Sequence, residues 1–212
     1  MGKIVIIGNQ KGGVGKSTIT AMVAMYLHGL GKKVLVIDAD DLQRSLSKIR
    51  EREELDGVDA YELVDSTTRE LPQLINGIKN VYDYIFIDLP GNLKQEGVIQ
   101  VYFKADIIIV PVSLTELDID STKDFITFLK DKVKKVKELN FEKLEIACIL
   151  NKVKTNTQET KMFLEEEDIL GVEILRPFIK DSVSLQREVS TIREANKEYF
   201  PLMERIVNLI DK

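Results

Sequence analysis

The sequence predicts an α/β fold in which a mainly parallel, twisted β-sheet is covered by helices on both faces. Short and almost continuously apolar runs alternate with longer segments of helical periodicity. The predicted strands are residues 3–8, 33–38, 82–88, 105–112, 144–150 and 172–175. Strands covered on both faces need such apolar runs. Their alternation with helices favours βαβ units and therefore parallel strands.

The predicted helices occupy the intervening segments. The clearest are residues 16–30 and 115–139, in which apolar residues share one face. These faces consist of Ile19, Val23 and Leu27 in the first helix, and of Phe125, Leu129, Val133 and Val136 in the second. Between residues 41 and 80, only two helices are predicted, near 42–54 and 71–80. Residues 183–212 are expected to form two helices that are interrupted near Phe200-Pro201.

Composition limits the class of protein. The chain has 212 residues, 44% hydrophobic and 31% charged, with no repeat or linker, so we expect a single domain. A net charge of −5 argues against a wholly basic nucleic-acid binder. One cysteine, Cys148, cannot build a disulfide framework or a cysteine-ligated cluster within the chain, and its apolar surroundings predict a buried core residue. No signal peptide or apolar run of membrane-spanning length is recognised, so we expect a cytoplasmic protein.

A glycine-rich segment, GNQKGGVGKST at residues 8–18, follows the first predicted strand and opens the first long helix. Glycines allow a tight turn whose N–H groups point at phosphate oxygens, and the helix N-terminus adds partial positive charge. Lys16 is expected to reach the β- and γ-phosphates, Ser17 to ligate Mg²⁺, and Thr18 to bond the α-phosphate. The usual loop pattern would place glycine at Gln10, and this chain instead carries an additional lysine, Lys11.

The segment KGGVGKST resembles the deviant Walker A motif of the ParA/MinD family, which also includes the nitrogenase iron protein. The resemblance covers residues 3 to about 185 and implies a P-loop ATPase that binds ATP and Mg²⁺ and forms an ATP-dependent sandwich homodimer. It implies nucleotide contacts from Lys11, Gly12, Gly13, Val14, Gly15, Lys16, Ser17 and Thr18. Lys11 would reach the phosphates of the partner subunit, as a cation delivered in trans can neutralise charge on a transferring phosphoryl group.

Two acidic residues, Asp38 and Asp40, end the second predicted strand in VLVIDADDLQ. Ligands of open α/β sheets bind at this end of parallel strands. The segment resembles the family's D-x-D-P-Q motif, which implies that Asp40 orients the attacking water and that Asp38 lies near the magnesium. Here the proline is missing and one residue is added before Gln43, which weakens any role for that glutamine. Asp41 is interpreted as a helix-capping residue.

Two later strand ends complete the expected site. YDYIFIDLPGN resembles the family's Walker B and switch II segment, which implies that Asp88 helps to hold Mg²⁺ and that the Gly91 amide senses the γ-phosphate. Asn151 follows the strand LEIACIL. The resemblance implies an adenine contact there, and a loop asparagine that ends a strand is an equally good interpretation.

The branches of the family differ in features that the chain can show. The iron protein needs paired cysteines, which are missing here. MinD-like proteins end in a basic amphipathic membrane helix. The last predicted helix has an apolar face of Leu202, Ile206 and Leu209 but balanced charge, which favours docking on the core and predicts no membrane contact. A small ParA-like ATPase for the partition of a plasmid or similar element is therefore predicted, with a small centromere-binding or adaptor protein as partner.

Non-specific DNA binding is a further expectation from the resemblance. The candidate basic residues are Lys180, Arg187, Arg193 and Lys197, with Ser184 where some relatives carry an arginine. A second candidate is the lysine-rich segment 130–143, for which a solvated helix face is the other interpretation. The alternative function is a ParA-like ATPase that positions or regulates a protein cargo without DNA.

Overall fold

A computed structural model describes residues 1–40, 44–55, 57, 59–140, 142–154, 160, 163, 169–181 and 196–212. Its strands are β1 (Lys3–Ile7), β2 (Val34–Asp38), β3 (Glu62–Asp65), β4 (Tyr84–Asp88), β5 (Ile107–Val112), β6 (Glu145–Leu150) and β7 (Glu173–Leu175). Its α-helices are α1 (Lys16–Gly29), α2 (Ser45–Leu55), α3 (Leu71–Ile78), α4 (Val98–Tyr102), α5 (Glu116–Phe128), α6 (Lys135–Leu139) and α7 (Phe200–Ile210). A π-helical turn (Leu129–Lys134) joins α5 to α6, and a 3₁₀ turn (Asn196–Tyr199) precedes α7.

The strands form a seven-stranded sheet in the order β3-β2-β4-β1-β5-β6-β7. Each pairing between neighbouring strands is parallel. The strand that follows β1 lies on one side of it, and the strand that follows β4 lies on the other side. The direction of the crossovers thus reverses at the centre of the sheet, where open α/β sheets bind ligands. This arrangement confirms the predicted α/β class.

Both faces of the sheet are covered, as the apolar runs predicted. Along β1, Ile4 and Ile6 belong to the core beneath α3, α4 and α5, whereas Val5 and Ile7 belong to the core beneath α1, α2 and α7. This alternation follows from the two-residue period of a strand. Cys148 is fully buried in β6, as expected. Because both faces of the central strands are packed, the loops at the carboxyl ends of these strands start from well-defined positions.

Strand β3 was missed by the sequence analysis. It has four residues, pairs with β2 alone among the described strands, and presents a largely exposed segment, ELVD, to solvent. An edge strand of this kind lacks the continuous apolar run that identified the other strands. The five-residue helix α4 was also missed, because it is too short to show helical periodicity.

The helix predicted for residues 115–139 is interrupted by the π-helical turn, and this corrects one residue of its apolar stripe. The first three residues of the stripe are fully buried, but Val136 is 41% exposed. A π-helical turn contains more residues than an α-helical turn, so the inward face moves along the sequence. Lys137 points inward instead, and its ammonium group donates hydrogen bonds to the carbonyls of Phe103 and Ala105 at 3.1 and 2.8 Å.

The last helix docks on the core, as predicted. Leu202 and Ile206 are completely buried and Leu209 nearly so, in contact with the cluster that α1 forms on the sheet. Pro201 lies in the first turn of α7, where a missing N–H costs nothing. The preceding part of the predicted helical segment, residues 183–195, lies outside the described residues. Within the described chain, no helix has both the length and the apolar composition needed to cross a membrane.

Candidate nucleotide-binding site

A cleft of about 400 Å³ opens at the carboxyl end of the sheet, between the loop after β1 and the loops after β2 and β6. Most predicted site residues meet here. Its described lining is Gly13, Gly15, Lys16, Ser17, Thr18, Ile19, Met22, Asp40, Ser45, Ile49, Asn151, Lys152, Ile179 and Lys180. This lining combines polar groups with apolar side chains, which suits a ligand that has both a charged and an apolar part.

The backbone of the glycine-rich loop requires glycine at two positions. Gly13 and Gly15 have φ angles of 75° and 94°, which is the left-handed region. A Cβ on Gly15 would also lie only 2.1 Å from the amide nitrogen of Asn151. Gly12 has open space around it and no such requirement. Val14 turns inward and is 2% exposed, which fixes the loop to the core.

Asn9 fastens the start of the loop to the opposite wall. Its amide nitrogen donates to the Pro111 carbonyl at 2.8 Å and to the Thr122 hydroxyl at 3.0 Å, and its oxygen accepts from the Lys11 N–H at 3.1 Å. The side chain is 1% exposed, so these bonds are made away from water. Sequence reasoning did not select Asn9. A polar residue directly after a buried strand was the available signal.

Asn151 and Lys152 hold the other side of the loop. The Asn151 amide donates to the Val14 carbonyl at 2.7 Å, and the Lys152 ammonium donates to the Gly13 carbonyl at 2.7 Å. Asn151 is 6% exposed. Its amide nitrogen thus bonds the phosphate loop, and the adenine contact stays a prediction. Lys152 was missed by the sequence analysis, because nothing in its spacing links it to a loop some 140 residues earlier.

Lys16 begins α1 and points into the cleft. Burial lowers the pKa of its ammonium group, and the charges of Asp88 and Asp40 act in the opposite direction. Its Nζ donates to the Lys11 carbonyl at 3.4 Å. A cation that is partly desolvated between two carboxylates, at the N-terminus of a helix, is placed to bind phosphate oxygens.

Asp88 is the most perturbed acid of the site. It is 1% exposed, and the Ser17 hydroxyl lies beside its carboxylate. Burial raises its pKa to about 7, and the nearby Ser17 hydroxyl and Lys16 offset part of this effect. A buried carboxylate beside a serine hydroxyl offers oxygen ligands that suit Mg²⁺. Ser17 and Asp88 therefore fit the predicted metal site.

Asp38 lies beside Asp88, because the two residues are in register on β2 and β4. Its oxygens accept hydrogen bonds from the backbone N–H groups of Asp40 and Ser47 at 3.1 and 3.4 Å. Burial raises its pKa as well. These bonds tie the segment after β2 to the start of α2. Asp38 is thus near the proposed metal position, while its oxygens support the backbone that carries Asp40.

Lys11 has an intrachain partner that the sequence did not predict. Its ammonium group lies 3.2 Å from a carboxylate oxygen of Asp118, in the first turn of α5. Partial burial raises the pKa of Asp118, but hydrogen bonds from Ser113 and Thr115 and the Lys11 charge outweigh it, so the pKa lies below its usual value. Lys11 remains 43% exposed at the mouth of the loop. Its contact with a partner subunit stays a prediction.

The segment after β4 approaches the phosphate loop at Gly91, and the sensing of the γ-phosphate by the Gly91 amide stays a prediction. A Cβ on Gly91 would lie 2.5 Å from the Gln10 carbonyl, so only glycine permits this approach. Asp41 and Gln43 lie outside the described residues. Among the described residues, no three histidine, cysteine, aspartate or glutamate side chains converge on one point, so a cation here would need nucleotide oxygens or water as further ligands.

The residues considered for DNA binding are only partly described. Ser184, Arg187 and Arg193 lie outside the described residues. Lys180 lines the nucleotide cleft and pairs with Glu198 at 3.2 Å, and Lys197 is exposed. In the lysine-rich segment 130–143, three lysines are engaged within the chain. Lys135 pairs with Asp131, Lys137 with Glu142, and Lys130 donates to the Gly171 carbonyl.

The fold and this loop define a P-loop nucleotide-binding protein. The family model described as the CobQ/CobB/MinD/ParA nucleotide binding domain matches residues 5–194, and the chain belongs to this family. It is 34% identical over 122 residues to an uncharacterized ATP-binding protein of Methanocaldococcus jannaschii, which covers 44% of this chain and 46% of that protein. It is 32% identical over 128 residues to the chromosome-partitioning ATPase Soj of Treponema pallidum, covering 44% and 50%. The chain thus spans about half the length of these relatives.

Solved structures share the fold over almost the whole chain. One is a plasmid partition protein of Borrelia burgdorferi bound to AMPPNP, with a TM-score of 0.68 and 24% identity over 98% of both chains. Another is pNOB8 ParA bound to nonspecific DNA, with a TM-score of 0.72 and 20% identity over 100% of this chain and 99% of that chain. These likenesses confirm the predicted ParA/MinD type of P-loop fold.

Proposed function

We propose that this protein is a Mg²⁺-dependent ATPase that dimerises with ATP and acts as a switch in plasmid or chromosome partition. The observation that carries the proposal is the phosphate loop itself, where two lysines, Lys11 and Lys16, flank a glycine turn beside the buried Asp88. The name of the Treponema relative supports a partitioning ATPase, and the Borrelia structure supports an ATP analogue as ligand.

Each residue has a defined part in the proposed reaction. Lys16 and the loop N–H groups bind the β- and γ-phosphates, and Ser17 and Asp88 hold Mg²⁺, with Asp38 behind them. A Mg²⁺ ion held there would neutralise charge on the phosphate oxygens. Asp40, at the edge of the cleft, orients the attacking water. Stabilising the negative charge of the transferring phosphoryl group, and positioning it against the water, is most of what phosphoryl transfer requires of a protein.

In the proposed switch, Lys11 leaves Asp118 and binds the phosphates of the partner subunit. The pair is partly exposed, so separating it costs little, about 1 kcal/mol or less. The γ-phosphate would then form part of the interface, and ATP would bind the dimer more tightly than ADP does. That difference in affinity is what shifts the population between monomer and dimer.

Sedimentation velocity with ATP, ADP and a non-hydrolysable ATP analogue tests the switch. Wild type should dimerise with ATP and the analogue only. Lys16→Ala should lose nucleotide binding, and Lys11→Ala should keep fair affinity but lose both dimerisation and turnover. Lys123→Ala, which changes an exposed lysine on α5, is the control. The same mass in all three nucleotides, or normal behaviour of Lys11→Ala, would refute the switch.

The second candidate is a ParA-like ATPase that positions or regulates a protein cargo without DNA. The internal pairing of lysines in segment 130–143 and the net charge of −5 favour it. Retention on non-specific DNA with ATP, measured over a range of salt concentrations, separates the two functions. A protein that contacts the phosphate backbone loses affinity steeply with salt. Retention that is absent at low salt would select the cargo function, with a small adaptor protein as partner.

A further inference from the structure

A second cleft lies at the amino-terminal end of the sheet, opposite the nucleotide cleft. Its volume is about 760 Å³, nearly twice that of the nucleotide cleft. It lies where the first residues of β1, β5 and β6 meet the ends of α3, α6 and α7 and the segment after α4. A ligand in this cleft would therefore leave the nucleotide cleft free.

The charge of this cleft is opposite to that of the whole chain. Six lysines and three acids line it, a local excess of three positive charges in a chain of net charge −5. They are Lys3, Lys79, Lys104, Lys137, Lys143 and Lys212, against Asp106, Glu142 and Glu145. Two of the acids and two of the lysines are already paired with each other, which leaves four lysines against Glu145. Asp106 accepts a hydrogen bond from the Ile4 N–H at 2.8 Å and lies 3.9 Å from Lys79, and Glu142 pairs with Lys137 at 3.1 Å.

Apolar side chains lie among these lysines. Ile4, Ile75 and Ile107 lie beneath the cleft with at most 2% exposure, and Val136 lines it with 41% exposure. Leu139, three residues after Val136 and thus on the same side of α6, is 79% exposed. The π-helical turn turns Val136 outward, and such turns occur frequently at functional sites. The surface thus combines basic groups with apolar side chains that face water.

We propose that this cleft is the docking surface for an acidic segment of a partner protein that carries both carboxylates and apolar side chains. The carboxylates would pair with Lys104 and Lys143, and the apolar side chains would cover Val136 and Leu139. Charge complementarity of this kind raises the rate of encounter and excludes basic partners. A concave cleft also admits an extended or helical segment more readily than a duplex or a membrane. A duplex would leave the exposed apolar side chains without a partner, and a flat membrane surface would not reach into the cleft.

Fluorescence anisotropy with short labelled peptides tests the composition of the partner. The probes are a peptide of glutamate and leucine, a peptide of glutamate alone, and a peptide of lysine and leucine. The glutamate–leucine peptide should bind best, the glutamate peptide several times more weakly, and the lysine–leucine peptide not at all. Preference for the lysine–leucine peptide, or no binding of any peptide, would overturn the proposal.

Charge-reversal variants test the location. Lys104→Glu combined with Lys143→Glu should lower the affinity for the glutamate–leucine peptide by about tenfold or more, since two ion pairs become repulsive. Lys48→Glu combined with Lys123→Glu makes the same charge change on exposed lysines of α2 and α5 and should leave affinity within about twofold. Equal loss in both double variants would show only a general charge effect and would refute the site.

A third set of variants tests the apolar contribution. Val136→Ser combined with Leu139→Ser removes two exposed apolar side chains, so the fold should be retained. This double variant should bind the glutamate–leucine peptide more weakly than the wild type does, and its affinity for the glutamate peptide should be unchanged. Duplex DNA and anionic lipid vesicles are run against the same variants. The proposal fails if the lysine variants weaken the binding of DNA or vesicles but not the binding of the peptide. It also fails if the serine variant changes self-association in sedimentation, because the surface then serves another occupant.

The Lys16→Ala variant keeps this test separate from the proposed ATPase function. It removes a residue at the other end of the sheet, so peptide affinity should persist when nucleotide binding is lost. Loss of peptide binding in this variant, with the fold intact by circular dichroism, would contradict an independent docking surface. Peptide binding in a protein that shows no ATPase activity would leave the docking surface in place and refute only the enzyme function.

Discussion

Replacing Asp88 with asparagine removes an ionisable group from the nucleotide cleft while almost preserving its volume. Burial raises the pKa of Asp88 from 3.8 to about 7. In the unfolded chain the carboxyl ionises near its ordinary pKa, so between about pH 4 and pH 7 the unfolded state has lost this proton while the folded state retains it. Without metal or nucleotide, the wild-type protein should therefore lose stability as the pH rises through this window.

The size of the effect follows from the two pKa values. The interval from 3.8 to about 7 corresponds to roughly 4 kcal/mol, since one pKa unit is worth about 1.4 kcal/mol. Typical unfolding free energies are about 5–15 kcal/mol, so this is a large fraction of the total. The amide of Asp88→Asn stays neutral at each pH. Its stability relative to wild type should thus rise by about 4 kcal/mol between pH 4 and pH 8.

Urea denaturation of both proteins at a series of pH values, with a chelator present, measures the difference. Asp120→Asn, which changes an exposed carboxylate on α5, is the control and should follow the wild type. Addition of Mg²⁺ and ATP should reduce the wild-type loss at pH 8, because the metal binds the ionised carboxylate, and should do so less in Asp88→Asn. A stability difference between variant and wild type that is the same at pH 5 and pH 8 would refute the reasoning.

Three further substitutions address the rest of the cleft. Asp40→Ala should bind ATP and dimerise but not turn over, because the phosphate contacts remain; phosphate release at the wild-type rate would assign the water to another group. Gly15→Ala should abolish nucleotide binding in a filter assay, because its Cβ would lie 2.1 Å from a neighbouring amide. Gly12→Ala, whose Cβ has nothing within 4 Å, is the control and should bind nucleotide normally. Equal affinities of the two variants would contradict this reasoning. Asp118→Asn should raise the dimerisation constant with ATP, measured by sedimentation, by about 1.4-fold to fivefold for each Lys11 released, because a partly exposed ion pair holds Lys11 by about 0.2–1 kcal/mol. An unchanged or smaller dimer fraction would show that the pair does not compete.

The sequence was sufficient to predict those parts of the fold and of the candidate site whose physical signal is local. The strands of the sheet centre are apolar runs, and the phosphate loop needs a fixed order of glycines, lysine and serine between a strand and a helix. The register that brings Asp38 beside Asp88 follows once two parallel strands end in aspartate at the same edge. For the strands and the loop the information lies within about a dozen neighbouring residues, and for the two aspartates it lies at the ends of two apolar runs.

The sequence was insufficient where a contact joins distant parts of the chain. Asn9 bonds groups more than 100 residues away, Lys152 bonds a carbonyl on the phosphate loop, and Asp118 pairs with Lys11 from another helix. Each partner looks like an ordinary polar residue in its own segment. The outward position of Val136 depends on the π-helical turn before it, and a regular helical period in the sequence does not predict such a turn.

The one thiol of the sequence makes the opening of this sheet measurable by chemistry. Cys148 lies in β6 between two neighbouring strands, and burial raises the pKa of its thiol to about 12. Thiol reagents attack the thiolate, so modification of the native protein requires β6 to separate from its surroundings. The labelling rate therefore reports the population of opened molecules without an engineered probe. A nucleotide that binds only the folded chain should slow labelling in proportion to the stability that it adds.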